Sequence, residues 1–205
     1  MIIAVFNPKG GTKKSSTVLN LASIFAPHYI IDLDVHDSIT TFNRMRPEGK
    51  QFDVKQFKQK LPLAQFLIDK GSNHSIIIDC GGFDSELNSV AIKSADIVLI
   101  PTNETAADVR GLMHANSILE REGVSEAWII PNGSHPNKQH FKTLELLANG
   151  MDRIHLRKDL KINQSKEVDL AMWKGLGVNE LNKYCVVARQ YRKLGSAIME
   201  FKNEQ

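Results

Sequence analysis

Residues 10–16, Gly10-Gly11-Thr12-Lys13-Lys14-Ser15-Ser16, follow closely on an apolar run at 2–6 and put a glycine pair, lysines and hydroxyls in the order a phosphate cradle needs. Between a strand and a helix, such a loop aims successive backbone N–H groups at an anion, and the positive end of the helix adds to the attraction. Lys14 could then reach outer phosphates and Ser15 could ligate magnesium. Measured against the consensus G-x-x-x-x-G-K-[ST], Pro8 stands at the first glycine and Lys13 at the last, and an extra lysine, Lys9, precedes the glycine pair.

Three carboxylates extend the chemistry. Asp79 closes the apolar run 76–78, where an acid can hold a magnesium ion or its bound water; capping a helix or forming a turn is the plain alternative, and the upstream loop shifts the weight toward function. Asp32-Leu33-Asp34 places two carboxylates on one side of an extended segment, one to support the metal shell and one to orient an attacking water. For Asp32, capping the next helix is a fair alternative. His36 and Asp37 lengthen this polar cluster without a metal role.

The elements that must position these groups follow from hydrophobic patterning. Short apolar runs at 2–6, 29–31, 75–78, 97–100 and 127–130 predict buried strands of a parallel sheet, with a weaker strand at 153–156. Helix-like segments lie at 15–25, 62–70, 85–93, 106–122, 138–148, 167–174 and 178–201. The alternation predicts an α/β fold: a doubly wound, mostly parallel sheet with helices on both faces, formed by residues 1–205 as one domain. Ligands of such sheets bind beyond the carboxyl ends of the strands. Asn7, the loop, Asp32, Asp34, Asp79, Thr102 and Asn132 all fall there.

With 205 residues and 42% hydrophobic content, the chain can bury a full core. Two distant cysteines, Cys80 and Cys185, suit a reduced cytoplasmic setting, and no segment reads as a membrane span or an export signal. The net charge of +3 is uneven: residues 151–205 hold 11 Lys/Arg against 7 Asp/Glu, and the rest 15 against 16. A basic C-terminal segment fits an anionic partner such as nucleic acid; charge count alone favours a solvated helical surface, because Lys and Arg are common on exposed helix faces.

Lys9-Gly10-Gly11-Thr12-Lys13-Lys14-Ser15 resembles the deviant Walker A pattern K-G-G-x-x-K-[ST] of the ParA/MinD family of ATPases. The later features keep the family's order. Asp32-Leu33-Asp34 is similar to its D-x-D switch, 76–79 to its Walker B strand, 95–101 with Asp108 to the next segment, and Gly177-Val178-Asn179-Glu180 to the turn before the last helix. Most members carry glycine at the position of Lys13; Val35-His36 replaces a frequent Pro-Gln, and Gly81-Gly82 a common Pro-Pro.

The resemblance implies a P-loop fold, ATP and Mg2+ as ligands, and a sandwich homodimer formed around ATP. Lys9 would cross to the partner's nucleotide, Lys14 would hold the β- and γ-phosphates, and Ser16 the α-phosphate. Ser15, Asp32 and Asp79 would form the metal set, Asp34 would orient the attacking water, and Asn132 would lie near the adenine, with Gly10, Gly11, Thr12 and Lys13 completing the nucleotide loop. Small members of this type bind DNA without sequence preference, associate with the nucleoid in the cytoplasm of a prokaryote, and hydrolyse ATP slowly until a ParB-like or other small adaptor stimulates them in plasmid or chromosome partition. Arg153, Arg157, Lys158, Lys161, Lys166, Arg189, Arg192 and Lys193 are the DNA-binding candidates. Two alternatives stay open: a MinD-like positioning ATPase anchored to membrane through Ile198, Met199 and Phe201, for which 200–205 makes a poor basic anchor, and a degenerate P-loop scaffold.

Overall fold

In the computed structural model, which describes residues 1–83 and 85–204, the apolar runs become a parallel sheet. Its strands are β1 (Ile2–Val5), β2 (Tyr29–Asp32), β3 (Val54–Gln56), β4 (Ile76–Asp79), β5 (Ile97–Thr102), β6 (Ala127–Ser134) and β7 (Ile154–Leu156), in the spatial order β3-β2-β4-β1-β5-β6-β7. A two-residue strand, β8 (Ile162–Asn163), pairs with the far end of β6. Because side chains alternate along a strand, Ala4, Ile31, Ile78, Val98 and Ile129 face one apolar layer, while Ile3, Ile30, Ile77, Leu99 and Ile130 face the other.

The helices α3 (Lys60–Gly71), α4 (Glu86–Ser94), α5 (Ala106–Glu122) and α6 (Lys142–Ala148) cover the first layer. The second is covered by α1 (Lys14–Phe25), α2 (Ser38–Arg44), α7 (Lys166–Met172), α8 (Val178–Leu181) and α9 (Val186–Asn203). From β1 the chain crosses to β2, on the β3 side of the sheet, whereas β4 leads to β5 on the opposite side of β1. The carboxyl end of β1 therefore lies where the winding direction changes, the usual ligand crevice of such sheets.

Two expected helices are corrected. The continuous helix over 178–201 is two helices, because the chain leaves helical geometry at Asn182 and restarts with the Cys185 sulfur accepting the Ala188 amide at 3.4 Å. The helix expected from 138 begins at Lys142; Lys138 instead pairs with Glu104 at 2.6 Å, over the Phe141 ring.

One ion pair, its guanidinium buried, joins distant segments around the site. The Arg46 guanidinium, past the end of α2, makes two bonds to Glu180 (2.6 and 3.0 Å), donates to the Gly175 and Lys50 carbonyls (2.7 and 2.6 Å) and stacks on Phe52. Gly175 has φ 65°, and a Cβ there would collide with the Phe42 carbonyl, so only glycine lets the α7–α8 turn approach α2.

Candidate functional site

Strand register brings the loop and two acids to one level: Val5 pairs with Asp79 across β1 and β4, and Asp32 pairs with Asp79 across β2 and β4. Buried Asn7 fixes the start of the loop. Its Nδ2 donates to the Pro101 carbonyl and its Oδ1 accepts from the Lys9 amide, both at 3.0 Å. Gly11, at φ 76°, takes a left-handed turn that glycine adopts freely, and the Thr12 hydroxyl closes back on the Lys9 carbonyl at 3.3 Å.

The loop ends at Lys13, which caps α1 in the left-handed conformation (φ 72°, ψ 26°), at a cost of about 1 kcal/mol for a residue with a Cβ. Thr17 secures this turn: its amide and its hydroxyl both donate to the Lys13 carbonyl at 2.9 Å. Asn132 donates from Nδ2 to the Thr17 hydroxyl at 3.0 Å. Its amide is therefore committed to holding the loop. Asn132→Ala should lower stability by about 1–2 kcal/mol, because the Thr17 hydroxyl loses its buried donor; the shift of a denaturant midpoint measures it.

A cavity of about 590 Å3 opens above the loop, which forms its floor from Gly10 to Ser16; Asp34, Phe42, Gly82 and Met172 stand around it. Three atoms beside it lack hydrogen-bond partners among the described residues: the Ser16 hydroxyl, which the buried Tyr191 hydroxyl approaches without hydrogen-bond geometry, and both carboxylate oxygens of fully buried Asp79. Burial pushes Asp79 up to about 7, opposed by the nearby Ser15 hydroxyl, which lies outside hydrogen-bond geometry, and by Lys14. Lys14 is itself buried, with Nζ on the Lys9 carbonyl at 3.2 Å; burial lowers its pKa while Asp79 and Asp34 draw it back. An unpartnered carboxylate, an unpartnered hydroxyl at the start of a twelve-residue helix and a lysine with one carbonyl partner suit a ligand carrying both a metal cation and an anion.

The remaining predicted residues divide. β2 ends at Asp32, so the two-residue alternation does not extend to Asp34, although both carboxylates lie near enough to Asp79 to act on it. The Asp32 carboxylate accepts the amide and hydroxyl of Thr40, both at 2.8 Å, and so braces α2; Asp34 lines the cavity, its Oδ1 taking the His36 amide at 3.1 Å. Lys9 extends away from the loop to an ion pair with Asp108 at 2.6 Å. Burial raises the Asp108 carboxyl, but Lys9 and Thr105 outweigh it and hold the group below its usual range.

Of the basic candidates, Lys158, Lys161 and Lys193 gather around one small cavity beyond the carboxyl end of β7, whereas Arg153 precedes that strand and donates to the Val124 carbonyl at 3.3 Å. Arg157 pairs with Asp159 (3.2 Å), Lys158 with Glu145 (3.1 Å), and Arg192 with Asn179 (2.6 Å). Lys166 and Arg189 are exposed on α7 and α9. The eight residues thus do not make one continuous patch.

Three positioning residues were not anticipated. Gly111, inside α5, lets Lys9 approach, since a Cβ there would lie 2.8 Å from the Lys9 Cβ; a lone glycine in a helical pattern was the available signal. Buried Asn88 pins the segment after Asp79 by bonding the Gly81 amide and carbonyl (3.1 Å each) and the Phe83 carbonyl (2.6 Å). Thr17 is the third, and nothing in its sequence context marks it.

Solved structures share this architecture from end to end. Apo McdA from Cyanothece superposes with a TM-score of 0.73 at 16% identity, covering 96% of this chain and 98% of that one. The septum site-determining protein MinD of Pyrococcus horikoshii, complexed with Mg-ADP, gives 0.70 at 15% identity, covering 96% and 95%. A ParA family ATPase from Chlorobium tepidum gives 0.69 at 14%, covering 95% and 96%. The chain has the doubly wound P-loop fold of the ParA/MinD ATPases. No protein-family model matches the sequence. No curated protein matches it either.

Proposed function

We propose that this chain is an ATPase of the ParA/MinD type that dimerises around ATP and Mg2+, holds DNA without sequence preference as a dimer, and serves plasmid or chromosome partition, with slow turnover raised by a ParB-like or other small adaptor. The observation that carries the reading is the buried, unpartnered Asp79 carboxylate beside Lys14 and the hydroxyls that open α1. Lys14 holds the outer phosphates, Ser16 the inner one, and Ser15 with Asp79 the metal; Asp34 orients the attacking water from the cavity wall. Magnesium, when bound with the nucleotide, neutralises phosphate charge.

Lys9 supplies the link between nucleotide and dimer. In the single chain its ammonium is held by Asp108, so reaching a partner's phosphates requires that ion pair to open. The C-terminal excess of basic residues favours DNA as the anionic surface. Lipid is disfavoured by α9, whose Ile198 is fully buried and whose Phe201 packs edge-on against Trp128 at 5.3 Å.

Sedimentation with ADP or ATP and magnesium, with and without DNA, tests the whole reading. ATP should produce a dimer that retains DNA, with retention falling steeply as salt rises. Lys9→Ala should keep nucleotide binding and weaken ATP-dependent dimerisation by about tenfold or more. A protein that stays monomeric in ATP, with DNA retention unchanged, would overturn the proposal.

A further inference from the structure

We infer that Lys13 is a third phosphate-binding lysine, directed at the inner diphosphate of the nucleotide from the β6 side of the loop. This rests on the nucleotide-site reading above. Among the described residues only Lys13, Ala26 and Asp37 combine a side chain with positive φ, and only Lys13 does so inside the loop. From that backbone its side chain runs out over Gly133: a Cβ on Gly133 would lie 3.7 Å from the Lys13 Cε. Gly133 is itself left-handed, at φ 68°, and the Lys13 side chain passes it at ordinary contact distance.

Lys14, the next residue, turns the other way. A Cβ on Gly82 would lie 3.6 Å from its Nζ, on the β4 side with Asp79. Two adjacent ammonium groups thus diverge around the same floor, one beside the acids and the other beside β6. Lys9 has Asp108 and Lys14 has a carbonyl, whereas Lys13 is exposed and makes no ion pair among the described residues. A left-handed backbone and a cation at the positive end of a helix both work against the free protein. A phosphate at that end would neutralise the cation and take the unpartnered Ser16 hydroxyl as a further donor. Strain retained at such a position fits a binding role.

Calorimetric titration of the full chain with ADP and with a non-hydrolysable ATP analogue, both with magnesium, tests this on Lys13→Gly, Lys13→Gln and Lys13→Arg. Lys13→Gly should melt about 2 °C higher when free and yet bind both nucleotides about tenfold more weakly, with a smaller salt dependence. Lys13→Gln should lose affinity with a smaller gain in melting temperature, since it removes the cation and keeps the strained backbone, and Lys13→Arg should retain affinity. Because the two nucleotides share the diphosphate, their ratio of affinities should not change. If Lys13→Gly binds as tightly as the unaltered protein, or more tightly, the side chain is a bystander or an obstruction and the inference fails alone. If the unaltered protein binds neither nucleotide, the site reading fails and takes the inference with it.

Discussion

Lys14→Ala abolishes nucleotide binding, weakening it by about a hundredfold or more, and leaves the folded protein at least as stable as before. The opposite signs follow from where the ammonium sits. It is buried, burial depresses its pKa, and its one hydrogen bond is to the Lys9 carbonyl at 3.2 Å, so the free protein keeps a desolvated cation with little local return. Removing it relieves that cost. For a polyphosphate the change is severe, since Asp79 and Asp34 would face the incoming negative charge with their nearest counter-charge gone. Titration with a fluorescent nucleotide beside a thermal melt separates the two effects. Affinity within tenfold of the unaltered protein would show that phosphate does not occupy this cradle.

The second large effect is a fall in stability as pH rises from about 4 to about 7, produced by Asp79. Its carboxyl keeps a proton up to about 7 in the native state, whereas the unfolded chain releases it near 3.8. Between those values the native state binds more protons, so raising the pH favours unfolding, by at most about 1.4 kcal/mol per pH unit. Summed over the window, the contribution is on the order of 4 kcal/mol, and above about 7 it levels off. Asp32, also raised by burial, acts with the same sign. Glu104 and Asp108 act oppositely: held below their usual range, they lose their contribution as pH falls below about 4. Asp79→Asn keeps the shape and removes the titration. Urea midpoints from pH 4.5 to 8.5 should therefore flatten in the variant and exceed those of the unaltered protein at pH 8. Parallel curves for the two proteins would mean that Asp79 ionises without resistance.

Sequence patterning located the elements that are long or wholly apolar. The helix at 106–122 matches α5 end to end, and the five central strands lie where the apolar runs are. The pattern misses β3, α2 and β8, which have three, seven and two residues and draw their definition from neighbours: β3 is laid against β2 by pairing, and the Asp32 carboxylate braces α2. The positions of Lys14, Ser15, Asp34 and Asp79 at one edge of the sheet were legible because the ends of β1, β2 and β4 can be read from the apolar runs. Side-chain commitments were not. Asn132 binding Thr17, Asp32 binding Thr40 and Lys9 binding Asp108 all depend on distances between segments that only the packed sheet sets. Lys13 stands where the loop consensus has glycine, a residue that takes positive φ freely; Thr17 holds the lysine at positive φ, and that bond depends on the folded turn.

The Arg46–Glu180 pair spans 134 residues, and it ties together the two segments that supply the cavity walls, Phe42 from one and Met172 from the other. The loop supplies only the floor of that cavity. Its walls come from parts of the chain far apart in sequence, so the shape a ligand meets depends on long-range packing, and a substitution at Arg46 or Glu180 can alter ligand affinity without touching the loop.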